Sequence, residues 1–407
     1  MLGGLIVAVV IGCKSRPKTK PTDLPESLVA KRWVEPNLPE GTYVQADKAM
    51  SDGLASALGA KEPPPGRTGP IRPLNVLALS AGGKFGAYTA GVLAGWQASG
   101  TRPQEFDVVT GVSSGAIIAV YAFLGPHYDP ILKQFFTETT EKQLFDKKPF
   151  RYMLKYGSIA VADPMMEIIS RELNTNVMNE IRAAHQAGRR LYIATLGVQS
   201  KREVFWDIGA IACSGRPDAD DLVKKIILAA VSIPGLLPPV YFDVVVDGCR
   251  YKEMHSDGGA VTQIFMKLAD HQATPMPGYK WLDKSNLYIL AAGKLYPDPT
   301  KAQLNLLARV SNSVSSSLYA LYRAELCKLY ALCMVSGMSY NIISLDPTLE
   351  VDHKSTTFNI EQMKTLYNSG YQQSCGGVPW RKMPPGGLLH EEETPRVGTC
   401  FVTVPTP

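Results

Sequence analysis

Twice in close succession the chain runs an apolar, β-prone stretch into small residues and straight out again into a helical pattern. LNVLALS (74–80) meets Ala81-Gly82-Gly83 and continues as GAYTAGVLAGWQASG, and FDVVTGV (106–112) meets Ser113-Ser114-Gly115 and continues as GAIIAVYAFLG. Strands that are apolar throughout, rather than alternating, are buried on both faces, and a helix after each one returns the chain across the sheet. RRLYIATLGVQ (189–199) and SNLYILAAG (285–293) supply two more such strands. This alternation predicts an α/β fold with a mostly parallel central sheet flanked by helices.

One segment departs from it. In YFDVVVDGCRYKEMH, Asp247-Gly248 between β-rich arms signals a hairpin and hence antiparallel strands. Farther on, LNLLARVSNSVSSSLYALYRAELCKLYALC reads as a long helix and MSYNIISLDP as a strand. FNIEQMKTLYNSGY reads as a helix with Asn359 placed as its cap.

With 407 residues, 45% of them hydrophobic, the chain can bury a large core. The expected boundaries are a signal peptide over 1–12, a Pro-rich tether over 13–70 ending in KEPPPGRTGPIRP, one domain over 71–372 and an irregular tail over 373–407. A net charge of only +5, with no basic stripe interleaved with aromatics, argues against nucleic-acid binding. No cysteine/histidine cluster of zinc spacing occurs, and none of the residues singled out below calls for a metal or cofactor.

MLGGLIVAVVIGC is uncharged and has the length of a signal-peptide apolar region, too short to span a bilayer. Val10-Ile11-Gly12-Cys13 resembles a bacterial lipobox, which would make Cys13 a lipidated N-terminus; no Lys or Arg precedes the run, and a trimmed start is the alternative. Lys14, Arg16, Lys18 and Lys20 then form a basic tether that favours an anionic membrane surface. By analogy with bacterial lipoproteins, Lys14 after the cysteine points to the outer membrane of a bacterial envelope. Of the remaining cysteines, Cys327 and Cys333 fall on different faces of one helix, and Cys375 with Cys400 is the pairing that could close the tail.

Gly111-Val112-Ser113-Ser114-Gly115 fits G-x-S-x-G between a strand and a helix. A serine on so sharp a turn leaves almost no room two residues to either side, hence glycine at both places. Ser113 is the candidate nucleophile, and the Ser114 N–H a candidate oxyanion donor. The turn at Ala81, Gly82 and Gly83 leaves successive N–H groups aimed at one spot, which suits a phosphate or a developing oxyanion. A dinucleotide loop is the competitor, but the G-x-G-x-x-G spacing and its following acidic residue are missing. Asp257-Gly258-Gly259 puts an acid on a tight loop able to approach another closely, whereas Asp247-Gly248 is read as a plain turn.

Together, LSAGGKFGAYTAGVL, the G-x-S-x-G turn, AAVSIPGLLPPV, Asp257-Gly258-Gly259 and FNIEQMKTLYNSGY resemble the patatin-like phospholipase family over residues 72–372. The resemblance implies a three-layer α/β fold. It implies hydrolysis of the acyl esters of phospholipids or other lipids through an acyl-enzyme. Ser113 would be the nucleophile and Asp257 its base, without a histidine; Gly82, Gly83 and Ala81 would be oxyanion donors. Two positions depart from the family: its first loop glycine is Ala81, and its usual Arg/Lys is Phe85, with Lys84 one place earlier. Those departures keep a second reading open, an envelope lipoprotein of this fold that binds lipid or a partner without turnover. A Ser-His-Asp triad would need His353 or His390, while His255 reads as a rim or structural residue.

Overall fold

Strand β1 (Asn75–Leu79) lies at the middle of an eight-stranded sheet whose order explains most of the molecule. The remaining strands are β2 (Val108–Val112), β3 (Arg190–Gly197), β4 (Arg202–Asp207), β5 (Val240–Val246), β6 (Cys249–Asp257), β7 (Asn286–Ala291) and β8 (Ser339–Ser344). They run in the order β8-β7-β1-β2-β3-β6-β5, with β4 paired to β3. The computed structural model describes residues 23–28, 73–148, 158–246, 249–266, 282–296, 306–352 and 356–386.

The five strands from β8 to β3 pair in parallel, and β4, β6 and β5 are added antiparallel. The fully apolar runs are the central strands: all of β2, and all of β1 after Asn75, are buried. β5 and β6 form the expected hairpin, with Val246 opposite Cys249; Asp247 and Gly248 themselves lie outside the described residues.

Helices cover both faces, giving the three layers. One face carries α1 (Gly86–Ala98), α2 (Ser114–Leu124), α3 (Asp129–Glu138), α4 (Asp163–Glu172), α5 (Thr175–Gln186), α6 (Ile208–Ala212) and α7 (Ala219–Ala230) over the larger core. Under the other face, α8 (Leu306–Ser336) buries Tyr322, Leu326, Leu329 and Cys333 against β7, β8 and residues 264–266. Helix α9 (Ile360–Ser374), capped by Asn359 through the Gln362 N–H, lies against α1. The two helices nearly touch at Gly91, where an added Cβ would stand 2.0 Å from the Tyr367 carbonyl oxygen.

Two expectations change. The packed unit does not stop at residue 372: Trp380 packs edge-on against Trp96 at 4.9 Å, and Arg381 exchanges backbone hydrogen bonds with Ile342. The Gly/Pro-rich run is irregular as expected, yet large apolar rings and two buried prolines, Pro384 and Pro385, hold it to the core. Cys375 carries a free thiol, as do Cys213, Cys249, Cys327 and Cys333, so it is not bridged to Cys400, which lies outside the described residues. Cys327 is exposed and Cys333 buried, as their separate helix faces require. IPGLLPP is packing: Leu236 and Leu237 sit in the core. Among the described residues no helix is long and apolar enough to cross a membrane.

Candidate active site

The register of β3 brings the serine turn and the aspartate turn together. Along one edge of β3, parallel β2 ends with Val112 opposite Ala194, and antiparallel β6 ends with Asp257 opposite Thr195. The C-terminal ends of two strands therefore meet on consecutive residues of a third. Residues 144 apart in sequence become neighbours, and Ser113 Oγ donates to Asp257 Oδ2 at 2.6 Å.

The turn at Ser113 is built to hold that contact. Its φ of 55° and ψ of −126° lie in a region that L-residues avoid, at a cost of about 1–3 kcal/mol. The flanking glycines are sterically required. A Cβ at Gly111 would meet the Gly115 carbonyl oxygen at 2.5 Å, and one at Gly115 would meet the Ser80 and Leu79 carbonyls at 2.6 and 2.7 Å. Helix α2 starts at Ser114, so the Ser114 N–H belongs to the unpaired first turn and has no acceptor among the described residues. Its hydroxyl is also buried without a partner.

Asp257 is 3% exposed and caps its own turn, Oδ1 accepting the Gly259 N–H at 2.7 Å. Burial raises its pKa from 3.8 to about 6, although the bonds from Ser113 and Gly259 pull the other way. Gly258 lies flat against β3, where a Cβ would be 2.7 Å from the Ala194 carbonyl oxygen. Gly259 faces both Ala81 and Ser113, a Cβ there standing 3.2 and 3.8 Å from theirs.

The glycine-rich loop closes the third side. Gly83, at φ 55°, makes the left-handed bend, and Gly82 presses against Ala292, where a Cβ would be 2.4 Å from that alanine's own. The Gly82 and Gly83 N–H groups have no acceptor among the described residues. Ala81 differs from the expectation: its N–H already donates to the Gln263 carbonyl at 2.8 Å, so it is a fastening point of the loop rather than an oxyanion donor. Ser80 fastens the loop on the other side, its Oγ accepting the Ala292 N–H at 2.8 Å.

Lys84 turns away from Ser113. Fully buried, it donates from Nζ to Gln362 Oε1 of α9 at 2.7 Å and lies 3.9 Å from the Asp352 carboxylate. Burial lowers its pKa, and Asp352 partly offsets this. Lys84 anchors the loop; at the neighbouring position the half-buried Phe85 offers no charge.

His255, fully buried, serves the strand and does not touch the reacting pair. Trp206 Nε1 can only donate, so Thr195 Oγ1 accepts from it at 2.8 Å, and the same hydroxyl shares a hydrogen bond with His255 Nδ1 at 2.9 Å. His255 Nε2 faces Glu253 at 3.7 Å. His353, His390 and Cys13 lie outside the described residues. Sequence reasoning missed Gln263, whose backbone ties the aspartate loop to the glycine-rich loop; nothing in the neighbouring sequence marks it. Among the described residues, no three His, Cys, Asp or Glu side chains gather where they could hold a metal ion.

No curated protein matches the chain in sequence. The crystal structure of VipD from Legionella pneumophila is similar to it with a TM-score of 0.35 and 11% identity, over 74% of this chain and 68% of that one. Residues 77–270, from β1 through the aspartate turn and the loop after it, match the model of the patatin-like phospholipase family, so the chain carries a domain of that family over those residues.

Proposed function

We propose that the protein is a lipid acyl hydrolase that cleaves carboxylic esters of membrane lipids with Ser113 as nucleophile and Asp257 as its base. The single observation that carries the reading is the 2.6 Å hydrogen bond from the Ser113 hydroxyl to a buried carboxylate, with no other group between them. A carboxylate in water is too weak a base for an alcohol. Out of water its charge is poorly solvated, and its raised pKa makes it a more effective proton acceptor.

In the first half-reaction Asp257 takes the Ser113 proton as Oγ attacks the ester carbonyl. The oxyanion that forms is met by the N–H groups of Gly82 and Gly83, joined by that of Ser114 at the start of α2, where the helix dipole adds to the field. Collapse of this intermediate breaks the ester bond; the leaving alkoxide takes the proton from Asp257, and the acyl group stays on Ser113. In the second half, water gives its proton to Asp257 and attacks the acyl-enzyme; as this intermediate collapses the fatty acid leaves and Asp257 returns the proton to Ser113 Oγ, restoring both residues. Residues 1–20 support the accompanying proposal of an envelope protein anchored through a lipidated Cys13 beside its basic tether.

The test is fatty-acid release from phospholipid vesicles and from p-nitrophenyl esters. Release that disappears in both Ser113→Ala and Asp257→Asn is the expected result; full activity in Asp257→Asn would sink the dyad. Loss of labelling by a radioactive fatty acid in Cys13→Ser tests the anchor, and unchanged labelling would refute it.

A further inference from the structure

The loop after Asp257 is gripped from outside the site by an acid that the proposed chemistry does not use. Glu325 projects from α8, which packs on the opposite face of the sheet from α2. Its Oε1 accepts the Thr262 hydroxyl at 2.8 Å, and its Oε2 accepts the backbone N–H groups of Gln263 at 2.8 Å and Ile264 at 3.1 Å. Among the described residues these two N–H groups have no strand partner, so the carboxylate stands where a neighbouring strand otherwise would.

The gripped segment touches each part of the site. The Gln263 carbonyl accepts the Ala81 N–H at 2.8 Å, which sets where the glycine-rich loop begins. The Gln263 side-chain amide donates to the Gly259 carbonyl, inside the aspartate turn. Two residues on, the Phe265 carbonyl accepts the Thr110 hydroxyl at 2.7 Å, on the strand that delivers Ser113. One side chain from a distant helix thus holds the piece of backbone on which all three site segments lean. A carboxylate suits that position: one oxygen accepts the two backbone N–H groups and the other accepts the Thr262 hydroxyl, with no donor of its own to place.

We infer that Glu325 is a positioning residue for the Ser113–Asp257 reaction, fixing residues 262–264 so that the oxyanion donors and the Asp257 turn keep their mutual placement. This rests on the reading of Ser113 and Asp257 as the reacting pair. A purely structural role would lower stability and scale kcat with the folded fraction. A positioning role lowers kcat in protein that is fully folded, because an ångström of misplacement can cost about a hundredfold in rate.

The experiment compares wild-type protein with Glu325→Met, Thr262→Val and Ser113→Ala, using p-nitrophenyl butyrate and hydrogen–deuterium exchange. Glu325→Met keeps the length of the side chain and removes both acceptor oxygens. Its kcat is expected to fall about ten- to a hundredfold with KM within about twofold, and peptides covering 80–86 and 258–266 to exchange faster while those of β1 and β2 do not. Thr262→Val removes one side-chain bond and leaves both backbone bonds, and is expected to keep kcat within about threefold. Glu325→Asp keeps the charge and shortens the reach by one methylene; it is the milder probe should Glu325→Met fold poorly, with loss in the same sense. Wild-type kcat and exchange in folded Glu325→Met or Glu325→Asp would overturn the inference, as would a loss in Thr262→Val equal to that in Glu325→Met. Activity retained in Ser113→Ala would instead overturn the underlying reading, and the inference with it.

Discussion

Two buried aspartates close strands of this sheet, and only one of them meets a serine hydroxyl. Asp207 ends β4 and Asp257 ends β6; each turns one carboxylate oxygen back to cap its own turn, onto Ala210 N–H at 2.8 Å and Gly259 N–H at 2.7 Å. Burial pushes both pKa values up. The difference lies in what faces the rest of the carboxylate. Asp207 has the His185 imidazole at 3.7 Å, and both His185 and Arg190 act to lower its pKa. Among the described residues, Asp257 has only the Ser113 hydroxyl and the Gly259 N–H to support its charge. On the proposed reading, burial alone does not make a base; a buried carboxylate set against a hydroxyl on a strained turn does.

The largest effect that separates the two is on turnover. Asp257→Asn keeps the shape but removes the proton acceptor, and is expected to lower kcat by about a thousandfold or more, whereas Asp207→Asn should leave it within about threefold. Comparable losses from the two variants would erase the distinction. In wild-type protein kcat/KM should fall on the acid side with an apparent pKa near the value of about 6 that burial gives Asp257, since only the ionised form accepts a proton. An acid limb that stays put in Asp207→Asn and has no counterpart in the residual rate of Asp257→Asn completes that test.

A smaller effect, of opposite sign, is on stability. With its pKa raised from 3.8 to about 6, Asp257 binds its proton more tightly in the folded protein than in the unfolded chain. Its contribution therefore becomes less favourable as pH rises between those values, and the penalty is complete above the upper one. Asp257→Asn should be more stable than wild type by about 1–3 kcal/mol at pH 8, the gain shrinking toward pH 4, as read by urea melts. Asp207→Asn should change in the same direction with pH, since burial raises that carboxyl as well, while its amide oxygen still caps the Ala210 turn.

Smallest is the effect of the second loop anchor. Lys84→Met replaces a buried cation by an apolar chain of similar length, and the Asp352 side chain left behind is 36% exposed and stays solvated. It frees the loop from Gln362, and kcat should fall by about three- to tenfold while the melting temperature holds. Unchanged kcat would mean that the Ser80 and Ala81 bonds fix the loop without help.

How much of this could be read from the sequence follows from the range of the interactions involved. The central strands announce themselves because burial on both faces makes them apolar throughout, and G-x-S-x-G is local because the sterics that impose it act within five residues. Asp257 was legible as an acid on a glycine turn, in the company of a family resemblance. What separates it from Asp207 was not, because counter-charges come from elsewhere in the fold. Ala81 was misjudged as a donor for the same reason: its partner, the Gln263 carbonyl, is a backbone group 182 residues on and carries no sequence signature. The tail was misplaced because Trp380 and the buried prolines sit in a run whose composition resembles a loop.

The central claim is that Asp257, with no intermediary, activates Ser113. Its most direct test is the rate at which a fluorophosphonate labels the protein between pH 5 and 9, followed by intact mass and by peptide mapping. The account predicts one adduct, on Ser113, forming at a rate that rises with a single ionisation near pH 6 and is nearly abolished in Asp257→Asn. An adduct on Ser113 that forms at the wild-type rate in Asp257→Asn would contradict it.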